Sequence, residues 1–131
     1  MSLLGPCLVL AGIAHPLRGQ CVIGRWHTKC SPKDCISKGF CNPPEIPILD
    51  SEGHVSRHHA RVRLDSNSEC WIKDLHSLNG TYIIHTTKSA HFERLIPDTW
   101  YPLPDGAMVA LAYRQSKGPY VVVSYHRNGP N

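Results

Sequence analysis

Residues 60–74 have the sequence ARVRLDSNSECWIKD, in which two short runs of β-prone residues flank a polar segment. In the first run, Ala60–Leu64, apolar and charged residues alternate, so one face is expected to be buried and the other to face water. The segment Asp65-Ser66-Asn67-Ser68 is typical of a loop, and Cys70–Asp74 is again typical of a strand. This stretch predicts two β-strands joined by a polar loop.

The same pattern extends over the rest of the chain. No segment has a sustained helical period, and the β-rich runs are separated by Gly, Pro, Asn, Asp and Ser, as in a β-sandwich or barrel. Asn79-Gly80 and Asp105-Gly106 are strong turn pairs. The sequence therefore predicts an all-β fold. The other predicted strands are Cys7–Ala11, Gln20–Arg25, Ile46–Leu49, Thr81–Ile84, Trp100–Leu103, Ala107–Ala112 and Tyr120–Tyr125.

The composition indicates one globular domain over residues 1–131. The chain has 131 residues, of which 41% are hydrophobic and 18% charged, which is a usual size and composition for a folded domain. We expect a core over about residues 7–125, an irregular loop insertion over about 26–44 and a flexible tail at 127–131. The formal net charge of +4 suits an anionic partner but does not by itself indicate nucleic acid.

The apolar run Leu3–Ala14 and the cysteines bear on the compartment. No Lys or Arg precedes the run, and it is too short to span a bilayer as a helix, so it predicts a first strand and no membrane association. Cys7, Cys21 and Cys70 lie in strand-like runs, where a free cysteine behaves as a small hydrophobe. These features predict an intracellular, reducing location.

Three short motifs stand at strand ends. Gly24-Arg25 closes one predicted strand, Ser56-Arg57-His58-His59 precedes another, and Asn79-Gly80-Thr81 opens a third. Each motif alone is weak, because Asn-Gly is usually a turn and an Arg at a strand end is usually solvated.

Together the motifs resemble the forkhead-associated (FHA) family, whose pattern is Gly-Arg, then Ser-x-x-His, then Asn-Gly-Thr. The resemblance extends from Cys7 to Tyr125, and Asp74–Thr81 and Ser124–Arg127 look most like the DNA-damage checkpoint mediator type. It implies a β-sandwich of two antiparallel-rich sheets with the binding site in loops at one end. It also implies a phosphothreonine-dependent peptide- and protein-binding module, an adaptor in signalling such as the DNA-damage response, located in the nucleus.

The residue chemistry fits this expectation. A phosphate presents about −1.5 to −2 charges and three acceptor oxygens, and the guanidinium of Arg25 can donate to it in a fork that a Lys cannot reproduce. Ser56 offers a hydroxyl from its loop, and Asn79 a carboxamide suited to the backbone of an extended peptide. Arg57 is either a second cation at the site or a solvated residue at the strand edge. The phosphopeptide-binding set is thus Arg25, Ser56, Arg57 and Asn79.

Four further residues are expected to support the site. The resemblance implies that His59 braces the Ser56 loop from behind, and Thr81 is expected to anchor the Asn79 loop. Gly24 is expected to be needed for the fit of the backbone, and Gly80 for the φ angle of its turn. The preference for residues after the phosphothreonine is expected to depend on loops around Ser66–Ser68 and Ile84–Arg94.

Other functions are less favoured. Ser56 with His59, or Cys70 with His58, lacks the strand–elbow–helix context of a nucleophile, so we expect no enzyme and no cofactor. No aromatic and basic stripe is apparent, which makes nucleic acid an unlikely partner.

A metal site is better motivated than catalysis but still not preferred. His27, Cys30, Cys35 and Cys41 fit zinc spacing only loosely, so we expect no bound metal. The alternative function is an FHA-fold scaffold or dimerisation domain with a metal-binding Cys/His loop. The expected partner is a phosphothreonine-containing protein, and a homodimer is also compatible with the sequence.

Overall fold

In a computed structural model of the protein, the structure describes residues 5–26, 44–50, 52–85, 91–114 and 117–129. The elements in these ranges are β-strands without any helix, as predicted from the sequence. No helix long and apolar enough to cross a membrane occurs in these ranges. The strands are β1 (Cys7–Leu10), β2 (Ile13–Pro16), β3 (Gln20–Trp26), β4 (Ile46–Leu49), β5 (Ala60–Leu64), β6 (Cys70–Asp74), β7 (Thr81–His85), β8 (His91–Arg94), β9 (Tyr101–Leu103), β10 (Met108–Arg114) and β11 (Gly118–His126).

The strands form two sheets. One sheet has the order β2-β1-β11-β10-β7-β8 and the other β4-β3-β5-β6-β9. Strands β3 and β4 run parallel, and the other pairs described are antiparallel. The predicted antiparallel-rich sandwich is therefore confirmed. The parallel strand β4 lies at an edge of its sheet, where Pro47 is tolerated because its missing N–H is not needed for a second neighbour.

The core lies between the inner faces of the two sheets. Alternate residues of β5 and β6 point inward, and Val62 and Ile72 have no exposed surface. Leu111 and Val123 of the opposite sheet belong to the same buried cluster. The run Val121-Val122-Val123 lies in β11, which has neighbours on both sides, as expected for a central strand.

Two strands were not predicted from the sequence. Strands β2 and β8 both lie at the edges of the six-stranded sheet, and both are largely exposed, with Ile13 of β2 having 63% of its surface exposed. An edge strand is held by its backbone hydrogen bonds and buries few side chains, so it lacks the apolar alternation on which the strand prediction depends.

Four strand ends meet at one end of the sandwich. The register places Ile23 beside Ala60 and Ala60 beside Asp74, so β3 ends where β5 begins and β6 ends. Strand β7 begins close by, since the Thr81 hydroxyl donates a hydrogen bond to Asp74. All three sequence motifs therefore converge on this end.

The structure places the loop around Ser66–Ser68, on which specificity is expected to depend, away from the motifs. The loop around Ser66–Ser68 follows Leu64, the end of β5 opposite to Ala60, so it lies at the other end of the sandwich from the motifs. Strand β7 likewise runs away from the motif end, and within the described residues of this segment Arg94, paired with Tyr82, returns toward it. The sequence order of loops does not reveal at which end each loop lies.

Much of the predicted insertion at 26–44 lies outside the described residues, including His27, Cys30, Cys35 and Cys41. Within the described part of the chain, Cys7, Cys21 and Cys70 are buried free cysteines, and no group of three potential metal ligands occurs there. In the predicted tail at 127–131, the backbone N–H of the first residue, Arg127, donates to Asp105 Oδ1 at 2.8 Å.

Candidate functional site

Arg25 lies near the end of β3 at the motif end of the sandwich. Its backbone N–H donates to the carbonyl oxygen of Ser56 at 2.9 Å, which joins the strand to the loop before β5. Its guanidinium lies close to Gly53. A Cβ placed on that glycine would be 2.9 Å from Arg25 Nη1. Among the residues that the structure describes, Arg25 forms no ion pair, so its charge is available to a ligand.

Gly24 is required by the path of the neighbouring loop. A Cβ on Gly24 would lie 1.7 Å from the carbonyl oxygen of Arg57 and 3.3 Å from that of Ser56. Since real atoms do not approach so closely, any side chain here would displace the loop. The expectation that Gly24 serves the backbone agrees with this geometry.

The hydrogen bonds that hold Ser56 in place do not use its hydroxyl proton. Its backbone N–H donates to Nδ1 of His59 at 3.0 Å, and its Oγ accepts the N–H of Leu78 at 3.0 Å. Within the described ranges, no acceptor takes the hydroxyl proton of Ser56. The hydroxyl can therefore donate to an anionic ligand while remaining fixed by Leu78.

His59 is fully buried and connects the two loops. Because Nδ1 accepts the Ser56 N–H, Nε2 carries the proton and donates to the carbonyl oxygen of Gly80 at 2.8 Å. Burial lowers the pKa of His59, although the Gly80 carbonyl and the charge of Asp74 partly oppose this shift. A neutral His59 thus braces the Ser56 loop against the Asn79–Gly80 turn. Both ring nitrogens are occupied, so His59 is not placed to act as a base for Ser56.

Asn79 lies in the turn between β6 and β7. Its Nδ2 donates to the backbone carbonyl of His54 at 2.9 Å, which fixes the carboxamide and leaves Oδ1 as an acceptor. The next residue, Gly80, has a φ of +85°, and a Cβ there would lie 2.9 Å from both Arg94 Nε and the Tyr82 ring. Gly80 is therefore needed for two reasons: its φ is positive, and the neighbouring side chains leave no space for a Cβ.

A buried carboxylate, Asp74, anchors this turn. Its Oδ1 accepts hydrogen bonds from the hydroxyls of Ser77, at 2.5 Å, and Thr81, at 2.6 Å. Thr81 is completely buried, so it holds the start of β7 and does not reach solvent. The sequence indicated Thr81 as an anchor but gave Asp74 no role, because Thr81 reaches Asp74 only when β6 and β7 are brought together, although Ser77 is a local partner.

A second buried carboxylate, Asp50, organises the loop between β4 and β5. It accepts the N–H groups of Glu52 and Gly53 through Oδ1 and of Val55 through Oδ2, at 2.7–3.1 Å. The hydroxyl of Tyr120 also donates to Asp50 Oδ1 at 2.6 Å. Burial alone would raise the pKa of Asp50, but the hydrogen bonds from Tyr120 and the three N–H groups outweigh it and lower the pKa.

Sequence reasoning missed Asp50, although a local signal exists. An Asp followed three residues later by a Gly is typical of a turn in which the carboxylate accepts backbone N–H groups. The partner Tyr120, 70 residues away, could not be identified this way.

Arg57 is exposed in the same loop as Ser56. The structure thus brings together three of the four predicted binding residues by direct backbone or loop contacts and places Arg57 beside them. Among the residues that the structure describes, this surface offers a guanidinium without an ion pair, a hydroxyl proton without an acceptor and a fixed carboxamide. Such a set is suited to an anion carried on an extended peptide.

Comparison with known proteins is consistent with this arrangement. The family model described as the FHA domain matches residues 21–112 of the chain. None of the curated proteins compared with the chain matches it.

Several solved structures share the fold. EmbR of Mycobacterium tuberculosis is 20% identical with a TM-score of 0.62, covering 96% of this chain and 25% of EmbR. The N-terminal FHA domain of Rad53p from S. cerevisiae is 10% identical with a TM-score of 0.63, covering 95% of this chain and 94% of that one. The FHA domain of an Arabidopsis thaliana hypothetical protein is 24% identical with a TM-score of 0.61, covering 98% of this chain and 90% of that one. This chain thus spans a quarter of the length of EmbR.

Proposed function

The chain belongs to the FHA domain family, and from this premise we propose that it is a phosphothreonine-dependent peptide- and protein-binding module. FHA domains are interaction modules and not enzymes. The observation that carries the proposal is the placement of Arg25 beside the Ser56 loop, where the described residues provide no ion pair for its guanidinium and no acceptor for the Ser56 hydroxyl proton.

The phosphate would be held by charge-assisted hydrogen bonds. The guanidinium of Arg25 and the hydroxyl proton of Ser56 are hydrogen-bond donors, so the ligand must supply acceptors. A phosphate is the side-chain group with the most acceptor oxygens and the largest negative charge. The half-buried position of Arg25 reduces screening by water, which strengthens the interaction with a dianion. The exposed Arg57 adds a positive potential next to Ser56 that favours the approach of the same ligand.

Asn79 would contact the backbone of the peptide. Its carboxamide is fixed by His54, so little rotamer entropy is lost when Oδ1 accepts an N–H of an extended ligand. The exposed side chain of Leu78, 81% of whose surface is accessible, lies next to it in the same turn and offers an apolar contact.

Two proteins of the same fold support this assignment by their ligands. EmbR has been solved in complex with a low-affinity phosphopeptide, and the N-terminal FHA domain of Rad53p in complex with a phosphothreonine peptide.

Calorimetric titration with a phosphothreonine peptide and its unphosphorylated form tests the proposal. We expect micromolar affinity for the phosphopeptide and none measurable for the unphosphorylated form. Because 1 μM corresponds to about −8 kcal/mol, Arg25→Ala, at a cost of several kcal/mol, should remove measurable binding. Arg25→Lys should also bind poorly, since a point charge cannot form the fork. Wild-type affinity of Arg25→Ala would refute the assignment.

The cellular setting is a finer part of the proposal. The resemblance of Asp74–Thr81 and Ser124–Arg127 to the checkpoint mediator type is the basis for proposing a nuclear adaptor in the DNA-damage response. A fluorescently tagged protein should then collect at nuclear sites of induced DNA breaks, and Arg25→Ala should not. An unchanged distribution of the wild-type protein after damage would contradict this setting.

Self-association through a sheet edge is the remaining part of the proposal. Ile13 exposes a large hydrophobic side chain on β2, which is an edge strand among the described residues and so offers backbone groups for pairing. Light scattering after size exclusion should detect a dimer that persists after phosphatase treatment and is lost in Ile13→Glu. A dimer that phosphatase dissociates would contradict an edge contact.

A further inference from the structure

The outer face of the sheet β4-β3-β5-β6-β9 carries a cluster of basic and aromatic side chains. Arg61 and Arg63 alternate with the buried residues of β5, and Trp71 and Lys73 alternate with those of β6, so all four point away from the core. Trp100, which precedes β9, packs over two of them. We call these five residues (Arg61, Arg63, Trp71, Lys73 and Trp100) the basic face.

Contacts across the strands fix the spacing of the positive charges. Arg61 lies directly opposite Lys73, and Arg63 directly opposite Trp71. Arg63 Cζ lies 4.5 Å and Lys73 Nζ 4.7 Å from the centre of the Trp100 ring. The indole thus holds two cations together on the sheet surface by cation–π interactions.

The charges of the basic face are not neutralised. Within the described residues, neither Arg61, Arg63 nor Lys73 forms an ion pair. Arg61 donates only to Gln20 Oε1, a neutral acceptor, at 3.1 Å. Among the described residues, the Nε atoms of Arg61 and Arg63 are buried and have no hydrogen-bond partner.

Two carboxylates border the basic face, and both are occupied by N–H donors. Asp65 accepts from Trp71 Nε1 at 2.9 Å and from the backbone N–H of Asn67 and Glu69. These bonds, that of Trp71 first, lower the pKa of Asp65, and the charge of Arg63 contributes least. Glu45 accepts the N–H of Val22 at 2.6 Å.

The like charges of the basic face destabilise the unliganded protein and favour binding of an anion. Like charges directly opposite each other on a sheet face are destabilising, so the Arg61–Lys73 pair costs free energy in the unliganded protein. Cations held by Trp100 have already lost rotamer freedom, which lowers the entropic cost of binding an anion. A ligand with several negative charges would both relieve the repulsion and use this preorganisation.

We propose that the basic face is a second binding surface, distinct from the loops at the end of the sandwich, and that its ligand is an acidic segment rich in Asp and Glu. Guanidinium groups pair with carboxylates in matched geometry. Single-stranded nucleic acid is less suited, because it needs open aromatic faces for its bases. Trp100 is partly covered by Arg63 and Lys73, and Trp71 is partly buried as well.

Fluorescence anisotropy with labelled decapeptides tests the proposal. An unphosphorylated peptide of alternating Glu and Ser should bind at about 50 mM salt and weaken as salt screens the charges. A matched peptide with Gln in place of Glu should not bind, and labelled decathymidylate should bind more weakly than the Glu peptide. Equal or tighter binding of decathymidylate, or no binding of the Glu peptide, would overturn the proposal.

Charge-neutral variants separate this surface from general electrostatics. Arg61→Gln with Lys73→Gln should weaken binding of the Glu peptide by about tenfold or more. Lys117→Gln, which removes an exposed charge in the turn between β10 and β11 of the other sheet, should leave it nearly unchanged. Equal losses in both variants would overturn the proposal.

Folding is monitored in the same experiment. Because Arg61→Gln removes a like-charge pair, its melting temperature should stay the same or rise, so a loss of binding cannot be attributed to unfolding. Arg61→Gln alone should still weaken binding of the Glu peptide several-fold. Wild-type affinity of both the single and the double variant would overturn the proposal.

Discussion

The carbonyl oxygen of Arg57 lies directly over Gly24, only 1.7 Å from the position that a Cβ on that glycine would occupy. This contact places the loop that carries Ser56 flat against the end of β3. It is reinforced by the bond from the Arg25 N–H to the Ser56 carbonyl. The distance between the two proposed phosphate-binding residues is therefore set by the lack of a side chain at position 24.

Gly24→Ala should displace the loop and damage both folding and binding. We expect a loss of about 3 kcal/mol in the free energy of unfolding, as for an overpacked position. Affinity for a phosphothreonine peptide should fall at least tenfold, since a displacement of the cradle separates its donors. Urea denaturation and calorimetry measure the two effects. Gly5→Ala is the control, because a Cβ at Gly5 would have no atom within 4 Å. Similar losses in the two variants would contradict the role given to the loop contact.

Stability should decrease in mild acid because of His59. Burial lowers the pKa of His59 in the folded protein, so the unfolded chain binds a proton more readily. The stability that the neutral ring contributes is complete above the unfolded pKa of about 6.5 and is lost as the pH falls toward the folded value. Urea denaturation at pH values from about 7.5 to 5 should show this slope. His59→Gln should reduce the slope, whereas His58→Gln, at an exposed position, should keep it.

His59→Ala should be strongly destabilising at neutral pH. It leaves the N–H of Ser56 without its acceptor and removes one of two donors to the carbonyl of Gly80, which still accepts the N–H of Ala112. At about 1–3 kcal/mol for the unsatisfied N–H, together with the cavity that the buried ring leaves, we expect a loss of about 2–5 kcal/mol. A loss below about 1 kcal/mol, measured by urea denaturation, would contradict the bracing role.

Ser56→Ala and Asn79→Ala should differ in how they affect phosphopeptide binding. Ser56 would donate to a charged phosphate, so its loss should cost about 1.5–3 kcal/mol of binding free energy. Asn79 would contact neutral peptide backbone, so its loss should cost about 1 kcal/mol. Calorimetric titration of both variants against one phosphothreonine peptide measures the difference. A larger effect at Asn79 than at Ser56 would contradict the assignment of the phosphate to the Ser56 side.

Tyr120→Phe should alter the acid stability of the loop held by Asp50. The Tyr120 hydroxyl helps to lower the pKa of Asp50 in the folded state, so its removal raises that pKa toward the unfolded value. The stability that Asp50 contributes is present above the unfolded pKa of about 3.9 and is lost as the pH falls through the folded pKa. In Tyr120→Phe, stability should therefore be lower at neutral pH and decline less steeply below pH of about 4. Tyr113→Phe is the matched control, and identical pH profiles of the two variants would contradict the role of Tyr120.

Local patterns in the sequence were sufficient for the main strands, whereas the proposed binding residues came from a family resemblance. Alternation in Ala60–Leu64 reflects one buried and one exposed face, which any half-buried strand must have. The motifs around Arg25, Ser56 and Asn79 are each weak alone and indicated proposed binding residues only as a set, because the set resembles the FHA pattern. The edge strands β2 and β8 had no such pattern, because they bury few side chains.

Only the tertiary structure decided which residues meet across the sheets. The sequence suggested no stripe of aromatic and basic residues, yet strand pairing places Arg63 and Lys73 together under Trp100. Strand pairing and sheet packing likewise bring Tyr120 to Asp50 and Thr81 to Asp74. The physical reason is that side-chain alternation determines which face a residue occupies, whereas its neighbours on that face depend on strand order and register. Those are set by packing of the whole core and not by any local segment.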